Sequence, residues 1–136
     1  NIYGPGQERA VTYSSTVVLN LYRAFSQGKW KLKHPSAQRD FVYIQDAVEM
    51  LLHIMQKTIE IAPRSIAEIC SGEMTSIFIL GNLMSGLMGY PSVLDVPDQE
   101  IIEDPPYRTP GLPVLAPKVS LEEGLRRTLG HLEEMA

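Results

Sequence analysis

The side chains best suited to chemistry in this sequence are a guanidinium and a carboxylate placed side by side, Arg39 and Asp40. They stand at the entrance of an alternating apolar stretch, 41–44, which predicts a strand. A forked guanidinium can bind phosphate oxygens through two parallel, charge-assisted hydrogen bonds. Arg39 therefore indicates either an anion-binding group or a surface ion pair, which would contribute only about 0–1 kcal/mol to stability. Asp40 is interpreted as structural, accepting backbone amides of the loop before it.

The other residue types that commonly catalyse reactions are scattered along the chain. His34 falls in a predicted loop, His53 in an apolar helix and His131 on the last helix, so no metal-binding spacing exists. The single cysteine, Cys70, has no partner for an internal disulfide and no neighbouring pattern that would activate a thiol. The sequence thus offers no catalytic residue and no metal site.

Predicted strands and helices alternate along the chain, which is typical of an α/β fold. Asp46 and Ser120 are each followed three residues later by Glu, a pattern that predicts helix N-caps. The predicted helices cover 14–27, the stretch after Asp46 to Lys57, 75–88 and the stretch after Ser120. The predicted strands cover 29–33, 41–44, 65–70 and 92–96, while 34–38 and 98–115 are predicted to be irregular.

The helix predicted after Asp46 is apolar nearly all round, and such a helix is expected to be covered on most sides. Its apolar residues are Ala47, Val48, Met50, Leu51, Leu52, Ile54 and Met55. Leaving about half of six large side chains in water would cost several kcal/mol at about 25 cal/mol per Å². A chain that left this helix uncovered would be expected to repack, to dimerise or swap elements, or to bind a separate partner chain.

Composition restricts the class of protein. The 136 residues suit a single domain, 1–136, and 44% hydrophobic with 21% charged residues is ordinary for a soluble globular protein. The net charge of -4, without a basic face, argues against a nucleic-acid partner. No apolar run reaches the roughly 18 residues of a membrane span, and no signal peptide is visible. The expected location is cytoplasmic, with no membrane partner.

Four segments carry a specific resemblance. They are NIYGPGQ at 1–7, QRDFVYIQDAVEMLL at 38–52, EICSGEMTSI at 68–77 and PKVSLEEGLRRTL at 117–129. In this order they resemble the extended short-chain dehydrogenase/reductase family, which contains the nucleotide-sugar epimerases and dehydratases. The resemblance covers most of the chain but only the C-terminal, substrate-binding half of such an enzyme.

The resemblance implies a partial Rossmann-like extended short-chain dehydrogenase fold that lacks the N-terminal NAD-binding half and is repacked or oligomeric. The family's Gly-x-x-Gly-x-x-Gly turn for NAD and its Tyr-x-x-x-Lys pair do not occur in these residues. NAD is thus implied for the full-length family, but it is not expected to bind tightly to this chain alone. No catalytic residue is assigned.

The same resemblance implies the roles of individual residues. Arg39 and Asn1 would contact the diphosphate of the substrate, and Arg108 the ribose and phosphate. The remaining assignments are Trp30, Leu32 and Val17 beside the base, and Tyr3, Gly4 and Pro5 in a turn near the nicotinamide. Each has a plainer alternative, since Trp30 suits a half-buried strand and the Gly-Pro-Gly sequence is a common turn.

Three functions remain open. The chain is the portion of an NAD-dependent epimerase/dehydratase that binds a nucleotide-diphosphate sugar, incomplete for catalysis by itself and partnered by a second copy or a separate NAD-binding chain. Alternatively, it is a non-catalytic standalone module that binds a nucleotide or mediates oligomerisation. In the third case it is an oligomeric structural domain without a ligand.

Overall fold

The computed structural model describes residues 1–9, 16–29, 31–32, 34–57, 66–90 and 112–136. The described elements mix short strands with helices, which confirms the α/β class. In chain order they are β1 (Ile2–Tyr3), a 3-10 turn (Gln7–Arg9), α1 (Val17–Ser26), β2 (Gln38–Asp40), β3 (Val42–Tyr43), α2 (Ile44–Lys57), β4 (Met74–Ser76), α3 (Ile77–Leu87) and α4 (Leu121–Glu134).

The described strands form two pairs. β1 lies parallel to β3, with Ile2 opposite Val42, and β2 lies antiparallel to β4, with Arg39 opposite Thr75. Because β2 and β3 are separated by one residue, Phe41, the chain passes directly from one pair to the other. This crossing places Arg39 and Asp40 next to the start of β1.

Helices α1, α3 and α4 enclose the main core. Its fully buried side chains include Phe25, Leu80, Met84 and Leu125, each exposing 1% or less of its surface. Gly124 lets Tyr3 reach this core, because a Cβ at that position would overlap the Tyr3 hydroxyl and lie 2.9 Å from a ring carbon of Tyr43. The start of the chain and its last helix are therefore packed directly together.

Helix α2 buries one side only. Ala47 and Met50 pack on Val42 in a smaller cluster with the half-buried Ile69. A second apolar side remains exposed; its members, called here the α2 apolar face, are Ile44 (37%), Val48 (45%), Leu51 (48%), Leu52 (51%) and Met55 (63%). The helix is thus apolar on more than one side, as its sequence indicates, but it is not covered on most sides in this structure.

The N-cap prediction at Asp46 is wrong. Helix α2 begins at Ile44, so Asp46 lies inside the first turn, where its side chain is 2% exposed. Its carboxylate oxygens instead accept the backbone amides of Lys118 and Val119, at 3.0 Å each. Asp46 therefore joins α2 to the segment that leads into α4. The second predicted cap, Ser120, is confirmed, because its hydroxyl accepts the amide of Glu123 at 3.2 Å.

Several strand boundaries differ from the prediction. The described part of the predicted 65–70 strand is not a strand, and the strand forms later, at Met74–Ser76. Gln38, placed in a loop, belongs to β2. Among 29–33, the described residues are not in a strand, and Leu32 is a core residue, 3% exposed. The reason is that β2 and β4 pair with each other although β3 and α2 lie between them along the chain, and local alternation does not report such distant pairing. The predicted strand at 92–96 lies outside the described residues.

Candidate functional site

A cavity of about 360 Å³ opens between β1 and the start of α1. Three residues assigned to a site from the sequence, Asn1, Tyr3 and Val17, come together in its wall. The other lining residues are Ile2, Thr16, Val18 and Phe41. The wall is thus mainly apolar, with an amide and a hydroxyl as polar groups.

Asn1 is fixed on this wall by the strand beside it. Its carbonyl oxygen accepts the amide of Val42 at 3.0 Å, and its side-chain Nδ2 donates to the carbonyl of Asp40 at 3.3 Å. The cavity wall therefore touches the end of β2, one residue beyond Arg39. Asn1 and Arg39 are neighbours across this junction.

Tyr3 takes part in the site mainly as a packing residue. Its side chain is 1% exposed, and its hydroxyl donates to the carbonyl of Leu121 at 3.2 Å. The ring makes edge-on contacts with Phe41 and Tyr43, with centroids 6.4 and 5.6 Å away. Burial, followed by the nearby Tyr43 and Asp46, raises the pKa of Tyr3 far above its ordinary value. The hydroxyl therefore stays protonated and is unsuited to act as a base.

Arg39 is half-buried on β2, and its Nη1 donates to the carbonyl of Gln38 at 2.7 Å. It does not occur among the described residues that line the cavity. Asp40 beside it is structural, as predicted, but its partners lie after it rather than before it. Its carboxylate accepts the amides of Ser71 at 2.7 Å and Gly72 at 2.8 Å, directly after the segment 65–70 that was predicted to be a strand.

The loop after β1 is held by side-chain contacts. Gly4 has φ +152°, and a Cβ there would overlap Ile44, so only glycine fits. The Gln7 side chain donates from Nε2 to the Ile2 carbonyl at 2.7 Å and accepts the Thr16 hydroxyl at 2.9 Å. Glu8 accepts the Gly6 amide at 2.9 Å. The loop that carries Gly4 and Pro5 is thereby pinned to the cavity wall.

A second cavity, of about 310 Å³, lies between β4 and the segment entering α4. Phe41 borders both cavities. On its rim, the Lys118 ammonium lies 2.6 Å from Glu49. The hydrogen bond from Lys118, followed by its charge, lowers the pKa of the Glu49 carboxyl, and the same contact raises the pKa of Lys118. These opposite charges neutralise each other, and Glu73 also lines the cavity, so its described lining has no net positive charge to offer an anionic ligand.

The remaining assigned residues fall elsewhere. Trp30 and Arg108 lie outside the described residues. Leu32 is in the core, where its side chain contacts Gly81. Thr16 and Phe41 are wall residues that the sequence analysis missed. The only signals for them are their places next to Val17 and directly after Arg39-Asp40.

Other reactive groups give no second centre in the part of the chain that the structure describes. No cluster of three or more His, Cys, Asp and Glu side chains there could hold a metal ion. Burial, then the charges of Asp40 and Glu68, raises the pKa of the Cys70 thiol, which opposes a nucleophilic role. Within the same residues, every helix is too short or too polar to cross a bilayer.

Known proteins give a consistent comparison. The sequence profile of the NAD dependent epimerase/dehydratase family matches residues 1–70. A UDP-glucose 4-epimerase from Thermotoga maritima, solved with UDP-glucose, is 26% identical over 99% of this chain and 44% of its own, with a TM-score of 0.67. No curated protein sequence matches the chain significantly.

Two further solved structures share the fold at lower identity. RMD from Pseudomonas aeruginosa, complexed with NADPH, is 21% identical over all of this chain and 47% of its own, with a TM-score of 0.77. A UDP-N-acetylglucosamine 4-epimerase from Methanobrevibacter ruminantium, in complex with UDP-N-acetylmuramic acid, is 19% identical over all of this chain and 44% of its own, with a TM-score of 0.71. The chain spans less than half the length of these three proteins.

Proposed function

Because the chain belongs to the NAD-dependent epimerase/dehydratase family, we propose that it is the part of such a protein that binds a nucleotide-diphosphate sugar. The observation that carries this proposal is the cavity that joins Asn1, Val17 and Phe41 beside the end of β2. Its volume lies in the range of small-molecule sites, roughly 300–1,000 Å³. The relatives from Thermotoga and Methanobrevibacter were solved with UDP-sugars, which supports this ligand class.

The wall suits the two ends of such a ligand. Ile2, Val17 and Val18 offer an apolar surface for a flat base or a sugar ring, while the Asn1 amide offers polar contacts. Arg39 would supply charge, since β2 brings its backbone next to Asn1 and its side chain is only half-buried. In this proposal the guanidinium pairs with the diphosphate. Trp30, Leu32 and Arg108 remain proposed contacts on the strength of the family resemblance alone.

We propose that the described residues do not hold a dinucleotide by themselves. Tyr3 is buried in the core, and the space beside Gly4 is filled by Ile44 rather than left open for a ligand. Two of the assigned cofactor contacts are thus explained by packing. We propose that NAD belongs to the full-length family fold, with the Tyr3-Gly4-Pro5 turn bordering it, and that this chain alone does not hold it tightly or complete the reaction.

A second candidate function, a module that binds another protein segment, is favoured by the α2 apolar face. Side chains there expose up to 63% of their surface along one side of a 14-residue helix. The adjacent β1–β3 pair is parallel and two-stranded in the described residues. Parallel sheets are normally covered on both faces and contain more strands. The occupant would be a companion α/β segment or a second copy of the chain.

Ligand binding separates these functions. We expect a UDP-, dTDP- or GDP-sugar to raise the melting temperature in the absence of NAD, and Arg39→Ala to weaken binding about tenfold or more, since a charged hydrogen bond contributes about 1.5–3 kcal/mol. Arg39→Lys keeps the charge but loses the fork, and Arg126→Ala, an exposed arginine on α4, is the matched control.

Each result decides between the readings. Equal binding by Arg39→Ala and the unaltered chain would remove the diphosphate role of Arg39. No response to any nucleotide sugar, together with a dimer in light scattering that Leu51→Glu converts to monomer, would favour the interaction module. A response to NAD alone would contradict the division of roles proposed above.

A further inference from the structure

Helix α1 starts in an unusual way. Thr16 occupies its N-cap position with extended backbone angles, but its side chain caps no amide. Ser76 and Ser120, at the same position of α3 and α4, each accept an amide of the first turn. Threonine at this position ordinarily stabilises a helix by such a bond. The Thr16 hydroxyl instead donates to Gln7 Oε1 at 2.9 Å, so the side chain is committed to a different contact.

Gln7 uses both ends of its amide at this point. Nε2 donates to the carbonyl of Ile2 at 2.7 Å, and Oε1 accepts from Thr16. Ile2 belongs to β1 and Thr16 precedes α1, and both line the 360 Å³ cavity. Gln7 itself does not occur among the described lining residues. A single side chain outside the cavity therefore connects two of its walls.

The residue after Gln7 extends this link to the last helix. Glu8 Oε2 accepts the amide of Gly6, while Glu8 Oε1 lies 3.4 Å from Nε2 of His131 on α4. Glu8 is largely buried, with 14% of its side chain exposed. Through Glu8, the turn that carries Gln7 is thus fixed both to its own backbone at Gly6 and to His131 on α4.

We infer that Gln7 is a positioning residue: it sets the separation of β1 and the start of α1, and so the affinity of the cavity for its ligand. The identity of that ligand, a nucleotide-diphosphate sugar, rests on the proposed function. This arrangement leaves the first turn of α1 without a side-chain cap. If the Thr16 side chain capped the helix instead, it would lose its hydrogen bond to Gln7, and the start of α1 would no longer be tied to β1.

The test uses the full chain, with UDP-glucose, dTDP-glucose and GDP-mannose as titrants at a temperature well below the melting point of every variant. We expect Gln7→Ala and Thr16→Val to weaken the binding of whichever sugar the unaltered chain takes about five- to tenfold. Thr16→Val keeps the shape of the side chain but loses the hydroxyl, whereas Thr16→Ser keeps the hydroxyl and should restore most of the affinity. Gln56→Ala, an exposed glutamine on α2, is the control.

A second measurement does not need a ligand. The amide of Asn20 makes the first intrahelical bond of α1, to the carbonyl of Thr16 at 3.0 Å. Hydrogen exchange of this amide should accelerate severalfold in Gln7→Ala and in Thr16→Val, but not in Gln56→Ala. Exchange reports opening of this turn directly.

The outcomes are separable. Faster exchange with unchanged binding overturns the inference, because Gln7 would then only stabilise the fold. Binding in Gln7→Ala equal to the unaltered chain, with or without a change in exchange, does the same. If the unaltered chain binds none of the three sugars, the proposed function fails. The role of Gln7 in ligand affinity then fails with it, and the exchange of Asn20 tests only the structural link: acceleration supports a link from β1 to the start of α1 through Gln7, and an unchanged rate overturns that link as well.

Discussion

Helices α2 and α4 are both 14 residues long, yet they meet water in opposite ways. Helix α4 buries Leu125, Leu129 and Leu132 in the core and presents charged residues to solvent. Helix α2 buries Ala47 and Met50 and presents a second row of large apolar side chains. One helix has the single apolar stripe of a surface helix, and the other has the pattern of a helix between two layers.

The two helices differ in the kind of side chain that each exposes to solvent. The exposed side of α4 is occupied by i,i+4 pairs, Arg126 with Glu122 at 2.8 Å and Arg127 with Glu123 at 2.7 Å. The corresponding side of α2, the α2 apolar face, has no such pairs within the described residues. Among the described residues, α4 thus exposes mainly charged side chains, whereas α2 exposes a row of large apolar side chains.

The largest expected difference in unfolding free energy is between two single leucine substitutions, one on each helix. Leu125→Ala removes a side chain with 0% exposure and should lower the free energy of unfolding by about 3 kcal/mol, from lost burial and the cavity left behind. Leu51→Ala, on the α2 apolar face, should change it by less than about 0.5 kcal/mol in the isolated monomer. Urea unfolding measures both. A similar large loss for Leu51→Ala would mean that the face is already covered.

Asp46 tests the link between α2 and the segment that leads into α4. Asp46→Asn keeps an acceptor for one amide of Lys118 or Val119 but places an NH2 group against the other. We expect a loss of about 2 kcal/mol, since the site is 2% exposed and an unmet buried amide costs about 1–3 kcal/mol. Chemical denaturation of Asp46→Asn beside the exposed control Glu122→Gln makes the comparison. A loss no greater than the control would mean that the amides find water instead.

Short-range sequence patterns correctly predicted the N-cap of α4 but wrongly predicted an N-cap at Asp46 in α2. Ser120 caps the residue three positions on, and the leucine spacing of α4 lies within a few turns, so a short window contains the whole cause. The same serine- or aspartate-to-glutamate spacing at Asp46 predicts a cap, yet its partners lie 72 and 73 residues away. A short window contains no information about such a partner.

In the candidate site, too, some features were predicted from the sequence and others were missed. Asn1, Tyr3 and Val17 were assigned through the family resemblance, and the structure brings all three to one cavity, although their roles remain predictions. Thr16 was missed because its hydroxyl bonds Gln7 rather than its own helix, which only three-dimensional geometry reveals. The strand register that places Arg39 opposite Thr75 was missed because the two segments are distant in sequence.

A smaller change in stability is expected when the N-cap side chains of α4 and α1 are removed. Ser120→Ala removes the capping bond to Glu123 and should destabilise the chain by about 1 kcal/mol. Thr16→Ala removes no capping bond, so α1 should not lose capping stabilisation, and its cost should be limited to the contact with Gln7. Thermal unfolding of the two variants measures this difference. A fall in melting temperature for Thr16→Ala as large as that for Ser120→Ala would contradict it.

The smallest effect concerns the contact between Glu49 on α2 and Lys118. The hydrogen bond from Lys118 lowers the folded-state pKa of Glu49, so its contribution to stability is present above the unfolded-state pKa, about 4.3. That contribution is lost as the pH falls through the folded-state pKa. Unfolding midpoints of the chain and of Glu49→Gln should therefore converge below about pH 4 and differ slightly near pH 7. A difference that grows on acidification would show the opposite linkage.

The two carboxylate bridges, from Asp40 and Asp46, have a consequence for how the chain acquires its structure. Each joins residues made early by the ribosome to residues made much later, across 31 and 72 positions at the least. Until the later residues are synthesised, these carboxylates lack the amides that they bind in the folded chain. The native arrangement of β2 and α2 therefore depends on contacts that are distant in sequence, and such contacts slow folding. The segment that matches the family profile, 1–70, therefore excludes the backbone amides that Asp40 and Asp46 bind, even though it contains most of the residues assigned to the site.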